Sequence, residues 1–255
     1  MNNNVTVDNL SLVLIFSLVI LAMIISQKEK LDLSKDIFYA VIRTVLQLTL
    51  TGFILKYIFQ VSNAFLSLAM VLVIIYNASS QAKKRNPNKS SKQWHSFLAI
   101  LLSTGVTLGI LVVSGAIKFI PSQIIPISGM IASNSMAAIG LAYKSMYSSF
   151  KDNRQQILEK LTLGASVKLA SQSILRDSIK TGMQPTIDSA KTVGLVSLPG
   201  MMSGLIFAGV DPVHAIKYQI MVMFMLLSAT SLGSMVAAYF SYKTYFNKRD
   251  QLEFE

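Results

Sequence analysis

The stretch NLSLVLIFSLVILAMIISQ, Asn9 to Gln27, holds no charged residue and is rich in Leu, Ile and Val. A bilayer core needs about 20 apolar residues in a helix, because backbone N–H and C=O groups find no partner in lipid. This stretch therefore reads as a membrane span. The N-terminal MNNNVTVDNL has no Lys or Arg, and no small-residue cleavage site follows the apolar run, so the span reads as retained rather than as a signal peptide.

Working outward, the same search finds further spans at about Ala64–Ser80, Ser96–Ile117, Ile124–Tyr143, Thr186–Ala208 and Tyr218–Tyr242. One more is weaker. Arg43 and Lys56 bracket a charge-free stretch too short to cross unless Lys56 snorkels outward. Residues 31–44 before it look amphipathic, and are expected to lie along the membrane surface before turning into the span. The expectation is an all-α polytopic membrane protein of about seven transmembrane helices. Six remain if the weak second one does not cross. The whole chain, 1–255, reads as a single transmembrane permease domain.

Composition agrees. Hydrophobic residues make up 52% and charged residues 14% of the 255, against about 25% charged in a soluble domain, which argues against a soluble enzyme. The net charge of +11 on so apolar a chain suits basic membrane loops better than nucleic acid. With the N-terminus outside and the C-terminus inside, only Lys56, Lys118 and Lys217 fall outside, leaving 20 of the 23 basic residues within. The basic loop 81–95 serves that topology, or binds anionic lipid. No Cys is present, which excludes disulfides, Cys-ligated zinc, Fe–S clusters and thiol catalysis.

The longest inner insertion, 148–181, suggests two short helices. Ile157, Leu158 and Leu161 form one apolar stripe, and Val167, Ile174, Leu175 and Ile179 the other. Gly164 breaks the pattern, Ser166 is placed to cap the second helix, and Gly182 with Pro185 is expected to end it. The stripe faces the bilayer, the chain's own spans, or another protein. The segment resembles the coupling loop of ABC permeases, in which a Glu-Ala-Ala element precedes a Gly and an Ile follows ten residues after it. Gly164 and Ile174 keep that spacing. Glu159 stands in Leu158-Glu159-Lys160 one place from the expected acidic position, and Arg176-Asp177 replaces a Leu-Pro.

In the sixth span, Pro199 is expected to kink or break the helix, and Gly200 with Gly204 forms a GxxxG pair suited to close packing. Ser197, Met201 and Met202 lie beside the break. In the fifth span, Gly129, Ser133 and Ala137 form a small-residue ladder, with Asn134 and Ser135 as polar neighbours. These residues read either as helix packing or as the lining of a pathway or gate.

Together, VGLVSLPGMMSG at 193–204, AGVDP at 208–212, AIKYQI at 215–220, GMIASNSMAAIGLA at 129–142 and RDSIKTGMQPTIDSAKT at 176–192 are similar to the FetB family of ABC permeases. The resemblance covers nearly the whole chain. It implies a permease working with a separate ATPase subunit in the bacterial inner membrane. Bacterial members are described as iron exporters aiding resistance to oxidative stress, and related plant permeases are linked to aluminium tolerance and UDP-glucose transport. The chain has no GxxxxGK[ST] motif, so ATP and its Mg²⁺ would sit on the partner. One chain supplies half of a transporter, so a homodimer with two ATPase subunits, embedded in lipid and without nucleic acid, is expected.

Hard ligands for iron are few. Asp188 stands near the inner end of the sixth span, and Asp211 and His214 at its outer end. Each is a possible substrate contact. Each also has a structural reading: Asp188 paired with Lys191, and Asp211 capping the seventh span. Met221, Met223 and Met225 are two apart, so on a helix they point different ways. A secondary transporter or channel would call for more buried charge, and an intramembrane enzyme for a nucleophile–base pair or metal cluster that this sequence lacks.

Overall fold

A computed structural model describes residues 9–61 and 63–253. The chain divides into two compact units, Met1–Val61 and Ser62–Glu255.

The first unit is a pair of long helices, α1 (Asn9–Lys28) and α2 (Ser34–Val61). Ser26 organises the turn between them: its carbonyl accepts from the Leu31 N–H at 2.9 Å and its Oγ from the Leu33 N–H at 3.1 Å. The amphipathic surface segment expected at 31–44 is not separate. From Ser34 it belongs to one unbroken 28-residue helix, roughly 42 Å long. Arg43 and Lys56 sit exposed within it, so the weak span is long enough to cross.

The second unit holds α3 (Ala64–Lys84), α4 (Gln93–Val113), α5 (Pro121–Asp152), α6 (Arg154–Thr162), α7 (Val167–Thr192), α8 (Gly200–Phe207) and α9 (Pro212–Ser241). A 3-10 turn, Tyr242–Tyr245, follows. α5 and α9 run side by side in the same direction at the centre, and α4 and α7 run against them. Small residues make this possible. Ser103 Oγ donates to Ser135 Oγ at 3.1 Å, and Ser135 Oγ donates to the Ala229 carbonyl at 3.2 Å, which ties α4, α5 and α9 together. A Cβ added at Gly233 would lie 3.3 Å from the Ser135 Cβ.

One end of this bundle is aromatic and basic. Phe150 stacks on Tyr245 with ring centroids 4.3 Å apart and meets Phe246 edge-on. Asn88 Nδ2 donates to Thr244 Oγ1, and Ser91 pairs with Ser241. These contacts gather Lys83, Lys84, Arg85, Lys89, Lys92, Lys151 and Lys243 at the same end. Lys118 and Lys217 lie at the other.

Among the described residues, six helices are long and apolar enough to cross a membrane: those beginning at Leu10, Ser34, Ala64, Gln93, Pro121 and Pro212. The sixth span anticipated at 186–208 is not one helix. α7 ends at Thr192, residues 193–199 are irregular, and α8 has only eight residues. Pro199 is the residue before α8 rather than a kink inside a helix. The stop expected at Gly182 is also absent, since α7 continues through Gly182 and Pro185. Gly182 serves proximity instead. A Cβ there would lie 2.7 Å from both the Ala138 carbonyl oxygen and Ser234 Oγ, so glycine lets α7 press against α5 and α9 at once.

Candidate functional site

Where α7 gives way to α8, a cavity of about 430 Å³ opens against α5 and α9. It takes Met130 and Asn134 from α5, Thr186 and Ser189 from α7, Ser197, Pro199, Gly200 and Met201 from the break, and Gln219 and Met223 from α9. None of its lining residues is charged. Gln219 lies seven residues into α9, roughly 10 Å along the helix. A neighbouring cavity takes Met202 and shares Gln219 and Met223.

Of the sequence-nominated pathway residues, Asn134, Ser197, Pro199, Gly200 and Met201 meet in the one cavity, and Met202 lines the next. Asn134 spends its amide N–H on the Met130 carbonyl at 2.9 Å, one turn earlier. Ser135 is elsewhere, fully buried in the α4–α5–α9 hydrogen bonds. Gly200 and Gly204 have open space where a Cβ would stand, so no helix of this chain packs closely on the pair. Met223 lines the cavity, whereas Met221 and Met225 face a groove against α4, as their spacing requires. Sequence reasoning missed Gln219. Its signal was a lone amide in the apolar run Tyr218–Leu227.

The nominated acids have local partners. Asp188 is exposed, accepts from Gln184 Nε2 at 2.9 Å, and lies 4.0 Å from Lys191 Nζ. Asp211 is the N-cap of α9 and accepts from the N–H groups of Val213 (2.9 Å) and His214 (3.3 Å). The His214 ring lies 3.2 Å from the same oxygen. Hydrogen bonds from the His214 ring and backbone hold the Asp211 carboxyl below its ordinary range. None of Asp188, Asp211 and His214 lines the cavity. Among the described residues, no three His, Cys, Asp or Glu side chains are placed to hold a metal ion.

At the basic end, α6 and α7 form the hairpin. Gly164, at φ +87°, follows α6 in the left-handed conformation. Its N–H donates to the Leu161 carbonyl and that of Ala165 to the Lys160 carbonyl, both at 3.0 Å, a Schellman closure. Ser166 caps α7 by accepting from the Leu169 N–H at 3.3 Å. Glu159 is exposed and accepts from Gln155 Nε2 at 3.1 Å. Ile174 does not face outward: it is buried with Leu175 and Ile157 in the chain's own core. The outward apolar groups are Leu163, 87% exposed, and Leu169, 58% exposed. They share a shallow groove with Lys160, Gln172 and Arg176.

Residues 9–246 match the family described as "Uncharacterised protein family (UPF0014)". The chain belongs to the UPF0014 family. Over 98% of its length it is 54% identical to an Escherichia coli K12 protein named "Probable iron export permease protein FetB", covering 96% of that protein. Two plant proteins are also similar. Arabidopsis thaliana "Protein ALUMINUM SENSITIVE 3" is 33% identical over 92% of this chain and 86% of its own, and rice "UPF0014 membrane protein STAR2" is 36% identical over 92% and 83%. No solved structure matches. Like its relatives, this UPF0014 chain is a multi-pass membrane protein, and its spans, cavity and hairpin all lie within the matched region.

Proposed function

We propose that this chain is the membrane permease subunit of an ATP-driven exporter of iron in the bacterial inner membrane. The observation that carries this reading is the 54% identity, along nearly the full length of both chains, to a protein named as an iron export permease. The chain is not itself an enzyme in this reading: ATP and Mg²⁺ are held by a separate ATPase subunit.

The hairpin supports the second subunit. Leu163 and Leu169 stand in water at the basic end, flanked by Lys160 and Arg176. An apolar knob with a cationic rim fits a partner groove with acidic edges. The break at 193–199 supports a second copy of this chain. Leu195 and Val196 are 88% and 82% exposed on irregular backbone, and irregular backbone at bilayer depth is tolerated only against protein or water. With the N-terminus outside, the basic end and its hairpin face the cytoplasm, where an ATPase would reach them.

The test is copurification of an ATPase with the tagged chain, followed by ATPase assay of the reconstituted complex with iron, aluminium and UDP-glucose. Iron is expected to stimulate hydrolysis. Leu163→Glu is expected to release the ATPase and reduce transport at least tenfold without lowering the melting temperature of the permease. A chain that exports iron with no ATPase bound overturns the ABC reading. A complex that ignores iron and answers another solute overturns the cargo.

A further inference from the structure

The cavity at the α7–α8 break is built from dipoles rather than charges. α8 starts there without a side-chain cap, since its N-cap is Pro199. The first N–H to close back is that of Ser203, onto the Pro199 carbonyl at 3.0 Å. The N–H groups of Gly200, Met201 and Met202 therefore have no protein partner, and Gly200 and Met201 are themselves part of the lining. Free N–H groups and the aligned peptide dipoles give a helix N-terminus a partial positive charge of about half a unit.

A second feature points into the same space. Gln219 is 6% exposed, its side-chain oxygen is buried without a partner, and it lines the cavity from the facing helix. A buried amide left unpaired costs stability, and this one stands between two cavities whose contents could partner it. An amide presents either its NH₂ or its oxygen after a half-turn about its last bond. Ser189, Ser197 and Thr186 add hydroxyls on the opposite wall. No carboxylate lines the space to repel an anion or to bind a bare hard cation.

We propose that the cavity binds an oxyanion group, a carboxylate or phosphate of a small solute, on the free N–H groups of α8 with Gln219 as the facing contact. A half-helix end aimed at an anionic group is a workable membrane site because it needs no buried cation. About 430 Å³ is room for a small organic anion and far more than a bare ion requires. The inference rests on the permease reading and sharpens its cargo: iron passing here travels as an anionic complex, not as the free ion.

The experiment measures binding to the full chain in nanodiscs, with its ATPase where one copurifies. The probes are citrate, ferric citrate, inorganic phosphate and Fe²⁺ alone. At least one oxyanion is expected to bind, and the comparison of citrate with phosphate tells carboxylate from phosphate. Gln219→Glu keeps the shape and adds a negative charge, and is expected to weaken that anion at least tenfold. Gly200→Pro removes one N–H where a helix accepts proline, and Gly200→Ala retains it, with open space for the methyl. The proline variant is expected to bind at least fivefold more weakly than the alanine variant. The unliganded melting temperature of each variant separates misfolding from lost binding. No binding of any oxyanion, binding of Fe²⁺ alone, or undiminished anion binding in Gln219→Glu overturns the proposal. An ATPase that copurifies alongside such a result leaves the permease reading standing.

Discussion

Gly182→Ala and Gly129→Ala make the same chemical change on two helices of one bundle. Each adds one methyl, and each gains up to about 1 kcal/mol of helix propensity. They differ in what the methyl meets. At Gly129 there is nothing within 4 Å, whereas at Gly182 the new carbon falls 2.7 Å from the Ala138 carbonyl oxygen, 2.7 Å from Ser234 Oγ and 3.2 Å from the Ala142 Cβ. Ordinary contact begins near 3.4 Å, so the shortfall is about 0.7 Å on two sides. Ser234 can rotate its hydroxyl away, but the Ala138 oxygen is helix backbone and moves only if α7 or α5 moves. Overpacking of this kind costs about 1–3 kcal/mol. Propensity cancels in the comparison, so Gly182→Ala should be less stable than Gly129→Ala by about 1–3 kcal/mol. Reversible unfolding of both variants in mixed micelles, titrated with SDS and followed by tryptophan fluorescence, gives the difference. Equal midpoints would show that α7 does not rely on close approach at this residue.

Further outcomes are expected elsewhere in the fold. Ser135→Ala removes a fully buried hydroxyl that accepts from Ser103 and donates to Ala229; it should cost about 0.5–2 kcal/mol in the same titration, and an unchanged midpoint would remove this link from the packing of α4, α5 and α9. Asp211→Ala should lower the melting temperature more than Asp211→Asn, because Asn also caps. The Asp211 carboxyl is held below its ordinary range by His214, so the capping contribution is complete above the unfolded carboxylate range and fades as pH falls through the lowered value. A melting temperature that does not respond to either substitution would refute the cap. Because the chain has no Cys, single reporters are clean: Lys118→Cys should react with a membrane-impermeant maleimide from outside intact cells and Lys89→Cys only after lysis, and the opposite pattern would invert the topology.

Most of the fold is legible in the sequence because hydropathy reports burial in lipid directly. Charge-free runs flanked by Lys mark α1, α3, α4, α5 and α9 to within a few residues at most of their ends. Hydropathy does not report backbone continuity. Thr186–Ala208 is apolar enough to look like one span, yet it is the end of α7, an irregular turn and α8. Gly182 misleads for a related reason: a glycine before a proline reads as a helix stop, and only its neighbours reveal a close approach. The hairpin shows the same limit. Its apolar stripe was legible, but Ile174 turns inward and the exposed groups are Leu163, beside Gly164, and Leu169. The cavity was half visible through Asn134, Ser197 and Met201, while Gln219 becomes significant only once α7 is seen to break opposite it.

α7 links the two regions physically. It is a continuous helix of 26 residues, and it carries Leu169 in the hairpin groove and Ser189 in the cavity wall. Gly182, wedged against two neighbours, lies between them, roughly 20 Å from Leu169 and 10 Å from Ser189 at 1.5 Å per residue. Ala170, Ile174, Leu175 and Ser178 are buried along the same length, so the groove and the cavity share one rigid strut held from Ala170 to Gly182.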